Sequence, residues 1–179
     1  MRPDGTRVRD LTAIMQALPY VMPKRYDAQN WAEENLDEDA IRDYIRAKRR
    51  EGRSVTHMSL LVSAYYRAVL KNPKINYFVM NRRIYKRNHF CFSFVILKTR
   101  ADGTPDETSL KVYLEPEDTV FTVTEKIRST IEKNQNVRHN NDTDRFAKFV
   151  FGVPGLARAV FALAGFLDRH DLLPRSIIE

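Results

Sequence analysis

The chain has 179 residues, 43% hydrophobic and 11% aromatic, enough for one compact domain with a buried core. Charged residues make up 30%, against 6 glycines and 8 prolines, which excludes wholesale disorder. The net charge is +7, and the single cysteine, Cys91, excludes an intrachain disulfide.

The segment from Met1 to Asp10 mixes both charge signs and lacks the apolar run of a signal peptide, so a cytoplasmic location is expected. Residues 1–21 read as an irregular lead-in with a helical turn near Leu11 to Ala17, after which Pro19 and Pro23 favour extended chain. Residues 28–35 read as a strand carrying Trp31, although Glu33-Glu34-Asn35 is poor strand material. Asp37 is a good N-cap, with Glu38 and Asp39 in the first turn and Lys48-Arg49-Arg50 at the basic end, which suits the helix dipole. Ile41, Tyr44 and Ile45 give this helix its stripe, and Gly52 stops it. Ser54 or Thr56 caps the next helix, which runs to about Lys71, is apolar on most sides, and so belongs in a core or an interface. Asn72-Pro73 ends it.

Residues 76–80 and 83–86 read as short strands about a tight turn at Asn81-Arg82. His89 to Thr99 is a stronger strand, nearly all apolar, as expected of a strand covered on both faces. Asp102-Gly103-Thr104-Pro105 is a turn, and Thr108 to Leu114 returns as a strand. Thr119 caps a further helix with Val120, Val123, Ile127 and Ile131 at helical spacing, and residues 134–144 form a polar loop. Residues 145–179 read as an apolar helical segment. Within it, 149–167 is a run of 19 residues whose only charge is Arg158. That length approaches a membrane span, but Pro154, three glycines and the central arginine favour two short helices broken at Gly152 to Gly155. Such helices cover a core, line an interface, or lie on a lipid surface. The order of elements implies an α/β fold, a two-layer sandwich of a mixed, largely antiparallel sheet with helices, in a single domain over 1–179.

Residues 52–100 hold ten Lys or Arg and no Asp or Glu. Such a block attracts an anion, or is a solvated face paired with carboxylates from elsewhere, such as Glu33, Glu34 and Asp37 to Asp39. Tyr85, Lys86, Arg87 and Phe90 interleave rings with charge as base-stacking surfaces do, but no RNP or helix-turn-helix pattern accompanies them. Four scattered histidines, His57, His89, His139 and His170, give no metal-ligand spacing. No phosphate-binding glycine loop or nucleophile elbow is present. Cys91 lies between Phe90 and Phe92 and reads as a buried, inert thiol. His139 sits in the polar stretch His139-Asn140-Asn141-Asp142 and reads as exposed.

The stretch VTHMSLLVSAYYRAVLKNPKINYFVMNRRIY, residues 55–85, resembles the chloramphenicol acetyltransferase superfamily, closest to the catalytic domain of the dihydrolipoyl acyltransferases of 2-oxo acid dehydrogenase complexes. The resemblance lies in a helix ending at Asn72-Pro73-Lys74-Ile75-Asn76, a hairpin at Asn81-Arg82-Arg83-Ile84, and a long strand from Phe90 to Lys98. MPKRYDAQNW, residues 22–31, looks like a stand-alone branch of the group. The resemblance implies acyl transfer to or from a thiol, with a coenzyme A thioester as co-substrate or a lipoyl substrate, and a homo-oligomer, a trimer in the family. It also implies a histidine in HxxxDG as general base, a following Asp held by an N-terminal arginine, and a hydroxyl at the oxyanion. Here no histidine precedes xxx-Asp-Gly; the Asp-Gly pairs are Asp4-Gly5 and Asp102-Gly103. The expectation is a truncated member whose C-terminal part is missing and which is inactive alone. Arg25 is the candidate for the site-ordering arginine, or else a surface charge beside Asp27. The alternatives are a non-catalytic interaction module, or a basic protein that binds nucleic acid or acidic lipid.

Overall fold

The computed structural model describes residues 2–99, 105–135 and 149–173. Contacts divide the chain into two compact units: residues 1–21, 77–88 and 137–179 in the first, and residues 22–76 and 89–136 in the second. The architecture is mixed α and β, with small antiparallel sheets.

In the first unit, β1 (Gly5–Arg7) pairs with β3 (Arg83–Arg87), which also pairs with β2 (Tyr77–Met80); both pairings are antiparallel. The β2–β3 turn has positive φ at both central residues, Asn81 (47°) and Arg82 (57°), the pattern of a type I′ hairpin. The lead-in thus contains a strand where irregular chain was expected. Gly-Thr-Arg has no apolar alternation of its own, and it is held by a ladder to residues 85–87. Helix α1 (Ala13–Val21) includes Pro19, which was expected to favour extended chain. The proline stands in the last turn and is the helix's one buried residue, so its packing accompanies the loss of a single backbone bond.

The second unit holds α2 (Glu38–Arg50), α3 (His57–Lys71), α4 (Val120–Gln135) and the hairpin of β4 (Phe90–Thr99) with β5 (Pro105–Leu114). The caps form as their sequences require. Asp37 accepts from the N–H groups of Asp39 and Ala40. Thr56 and Ser59 form a reciprocal capping box. The Thr119 and Thr122 hydroxyls each accept from the other's backbone N–H. No strand forms over 28–35. A 3-10 turn at Arg25–Ala28 is followed by irregular chain, and Trp31 is 91% exposed. Apolar residues are too few there for a face to bury.

One face of β4–β5 supplies Phe90, Val112 and Leu114 to a core completed by Val62, Tyr66 and Val69 of α3 and Val123 and Ile127 of α4. Tyr66 and Phe90 meet at 4.6 Å. At the helix crossing Ser59, fully buried, lies 2.7 Å from Thr124 through the two hydroxyl oxygens. The opposite sheet face is not covered as expected: Val95 is 58% and Leu97 73% exposed. A two-stranded sheet packed on helices from one side has no second layer. Likewise Leu61 and Tyr65 of α3 are exposed, flanking its core stripe, with the Tyr65 ring 5.9 Å from that of Phe90. Cys91, expected to be buried, lies on the outer strand face and is half-buried. The single mixed sheet expected is, among the described residues, two antiparallel sheets, one of them built on the tight turn at 81–82, which suits a hairpin rather than a crossover. The turn expected at 102–105 lies mostly outside the described residues, as do the 134–144 loop beyond Gln135 and His139.

Residues 149–152 are helical, and α5 (Leu156–Arg169) follows Gly155, whose φ of 83° breaks the two as expected. Among the described residues no helix is long and apolar enough to cross a membrane.

Candidate functional site

Within the first unit, the ends of β1 and α1 and the β2–β3 turn flank an open cleft of about 700 Å³. Its rim carries Arg7, Arg9, Arg82 and Arg83, and among the described residues no Asp or Glu lines it. Val8, Leu11, Pro19 and Ile84 add apolar surface, and Gln16 and Tyr20 complete the wall. The backbone N–H of Val8 donates to the Ile84 carbonyl at 3.0 Å, extending the β1–β3 ladder to the cleft. The Arg82 guanidinium lies 5.2 Å from the centre of the Tyr20 ring. Gln16 donates to the Leu11 carbonyl at 2.8 Å, tying the start of α1 to the wall. Among the described residues none of the four arginines is in an ion pair.

A second charged arrangement in the same unit is of the opposite kind. Arg2, 5% exposed, donates to Asp4 at 2.9 Å, to Asp168 at 2.8 Å, to the Asp168 carbonyl at 3.0 Å and to Asp171 at 3.3 Å. The rings of Phe78 and Tyr85 lie beside it. Burial opposes the guanidinium charge, but the hydrogen bonds of Asp4 and Asp168 and their charges outweigh it, so its pKa is raised. Arg87 adds a contact of 3.9 Å to Asp4. Every charge in this set has a partner, and it fixes the N-terminal strand to the end of α5.

In the second unit, a smaller cavity of about 320 Å³ is lined by Arg53, Ser54, Phe121, Thr124 and Glu125, so its one arginine shares the site with a carboxylate. Asp118 sits before α4. Burial raises its pKa, but the Glu115 N–H and the Lys126 and Thr122 side chains hydrogen-bond the carboxylate and hold it below the usual range. Among the described residues no three His, Cys, Asp or Glu are grouped to hold a metal.

Arg25 stands exposed on the 3-10 turn near Asp27, whose carboxylate caps the Lys24 N–H at 3.0 Å. Among the described residues the Arg25 side chain forms no hydrogen bond or ion pair, and the surface-charge description fits it. Among the described residues the basic block of 52–100 does not pair with the carboxylates suggested for it: Asp37 caps α2, and Glu38 and Asp39 pair with Arg42 on the same helix. The base-stacking description loses its rings, because Tyr85 is 5% and Phe90 8% exposed. Arg7 and Arg9 were missed as site residues. Their signal is an arginine at alternate positions beside a strand, and it acquires meaning only when Arg82 and Arg83 arrive from far along the chain. No protein-family model, curated protein or solved structure matches the chain.

Proposed function

We propose that the chain is an acyltransferase-like protein, with a chloramphenicol-acetyltransferase-like order of elements over residues 55–98, that does not turn over a thioester alone. The observation that carries the reading is the succession of α3, the 3-10 step at Pro73–Asn76, the β2–β3 hairpin and the ten-residue strand β4. That succession is the one implied by the resemblance over residues 55–98. A coenzyme A thioester is the acyl donor under this reading, or a lipoyl group its counterpart. The missing element is the general base. His57 is exposed at the start of α3, His170 follows α5 against Phe166, and His89 meets Tyr113 edge-on, each without the Asp-Gly that follows the family's histidine. A homo-oligomer is part of the same reading; the exposed apolar residues of α5, Phe161 (64%), Leu163 (59%) and Phe166 (55%), support it.

The test is a thiol-release assay on the purified chain with acetyl-coenzyme A, alongside calorimetric titration of the same compound. Binding without release above the buffer rate is expected. Robust turnover refutes the inactive part of the reading, and absence of binding refutes the acyltransferase part.

A further inference from the structure

We infer that the arginine-rimmed cleft of the first unit binds a compact organic diphosphate. The inference goes beyond the acyltransferase-like reading and stands without it.

The first support is charge without compensation. Arg7, Arg9, Arg82 and Arg83 rim one cleft, and among the described residues no carboxylate lines it and none of the four is ion-paired. The four arginines are exposed around one cleft and exert a water-screened mutual repulsion. A bound anion removes it. Four positive charges match a ligand carrying two phosphate groups better than a single phosphate. Guanidinium forks suit phosphate oxygens, which each accept paired N–H donors.

The second support is backbone conformation. Arg82 occupies the second central position of the β2–β3 turn with φ of 57°. Glycine is the usual residue there, since a side chain strains the left-handed conformation. A strained residue that persists points to a role for its side chain. Here the side chain rests against Tyr20 at 5.2 Å, a ring contact that fixes the guanidinium without engaging its N–H donors in an ion pair.

The third support is size and lining. A cleft of about 700 Å³ is on the scale of small-molecule sites. Tyr20, 62% exposed, lines the cleft with Leu11 and Ile84 and offers a ring beside the phosphate-binding rim. A nucleic-acid backbone needs an extended basic track with several exposed rings; on this hairpin Tyr85 is 5% exposed and Tyr77 and Phe78 are half-buried, and Tyr20, 62% exposed, is held against Arg82.

The experiment is calorimetric titration of the full chain at low ionic strength with inorganic pyrophosphate and with adenosine diphosphate, set against a DNA duplex and phosphatidylserine vesicles. Saturable one-to-one binding of both diphosphates is expected, with affinity lowered roughly tenfold by Arg82→Gly and further by the pair Arg7→Ala, Arg9→Ala. Arg82→Gly also relieves the turn, so its urea midpoint is expected to equal or exceed that of the parent. No binding of either diphosphate overturns the inference, as does affinity unchanged by both sets of substitutions. Tighter binding of duplex or vesicle than of diphosphate overturns it in favour of an extended surface. A fall in the stability of Arg82→Gly assigns Arg82 to the turn and overturns its place in the site. Acyl transfer enters none of these readouts, so they remain decisive whatever the thiol-release assay returns.

Discussion

Replacing Arg2 with alanine removes the cation from three carboxylates at once. The Asp4 side chain is 8% exposed and those of Asp168 and Asp171 are 27% and 26% exposed. Removing one partner of a buried ion pair costs about 3–5 kcal/mol, because the other charge stays buried without compensation. Two of the carboxylates reach water, and Arg87 stands 3.9 Å from Asp4, so the lower end applies. The ring contacts to Phe78 and Tyr85 add a smaller loss. The expected cost is about 3 kcal/mol, and it falls on the first unit alone. Trp31, 91% exposed, reports on neither core, so tryptophan fluorescence is the wrong probe. Amide hydrogen exchange in β1 and α5 is the right one, with protection falling by roughly a hundredfold. The double variant Arg2→Met, Asp4→Asn removes charge of both signs, and is expected to recover part of the loss. Protection in Arg2→Ala within about threefold of the parent, or a double variant less stable than the single, refutes the reasoning.

Asp118 makes stability depend on acid. Its folded pKa lies below the unfolded value of about 3.9, so its contribution is fully present above that value and is lost as pH falls through the folded one. Asp118→Asn is expected to be less stable than the parent at neutral pH, with the gap closing below about pH 4; urea unfolding across that range checks it, and a pH-independent gap counts against the assignment. Gly5→Ala is expected to destabilise the first unit by about 1–3 kcal/mol, read by hydrogen exchange in β1–β3. A Cβ there would stand 2.7 and 2.8 Å from two Phe78 ring carbons and 3.1 Å from the Lys86 carbonyl oxygen, so the ring would have to move.

The parts of the fold that could be read from the sequence are those whose cause is local. Asp37, Thr56 and Thr119 cap helices through hydroxyl or carboxylate groups placed two or three residues from the amides they serve. The Asn81-Arg82 turn and the Gly155 break are set by positive φ at those residues themselves. The parts that could not be read depend on partners far along the chain. β1 exists because residues 85–87 lie beside it, and Arg2 is buried because Asp168 accepts from it across 166 positions. The bare faces of β4–β5 and α3 show a limit of periodicity. An apolar face identifies surface that gains from burial, but burial requires another layer, and the described residues supply a layer to one face only.

The two sets of arginines in the first unit show how far charge counting reaches. The excess of cations over 52–100 includes Arg82 and Arg83 of the cleft, but Arg7 and Arg9 come from a segment whose mixed charges suggest nothing. Arg2 comes from that same segment and has the opposite fate: three carboxylates surround it, whereas the cleft arginines have none. Local sequence does not separate them, since Arg2 and Arg9 each have an aspartate within two positions. What separates them is where the fold brings the acids. Asp4, Asp168 and Asp171 converge on Arg2, and Glu38 and Asp39 are held by Arg42 on α2. A cation acquires a binding role only after the fold has assigned the available carboxylates elsewhere, and that assignment is a property of three-dimensional neighbours. Arg82 carries the argument furthest because two independent features coincide at it, an uncompensated charge and a backbone conformation that a glycine would adopt more easily.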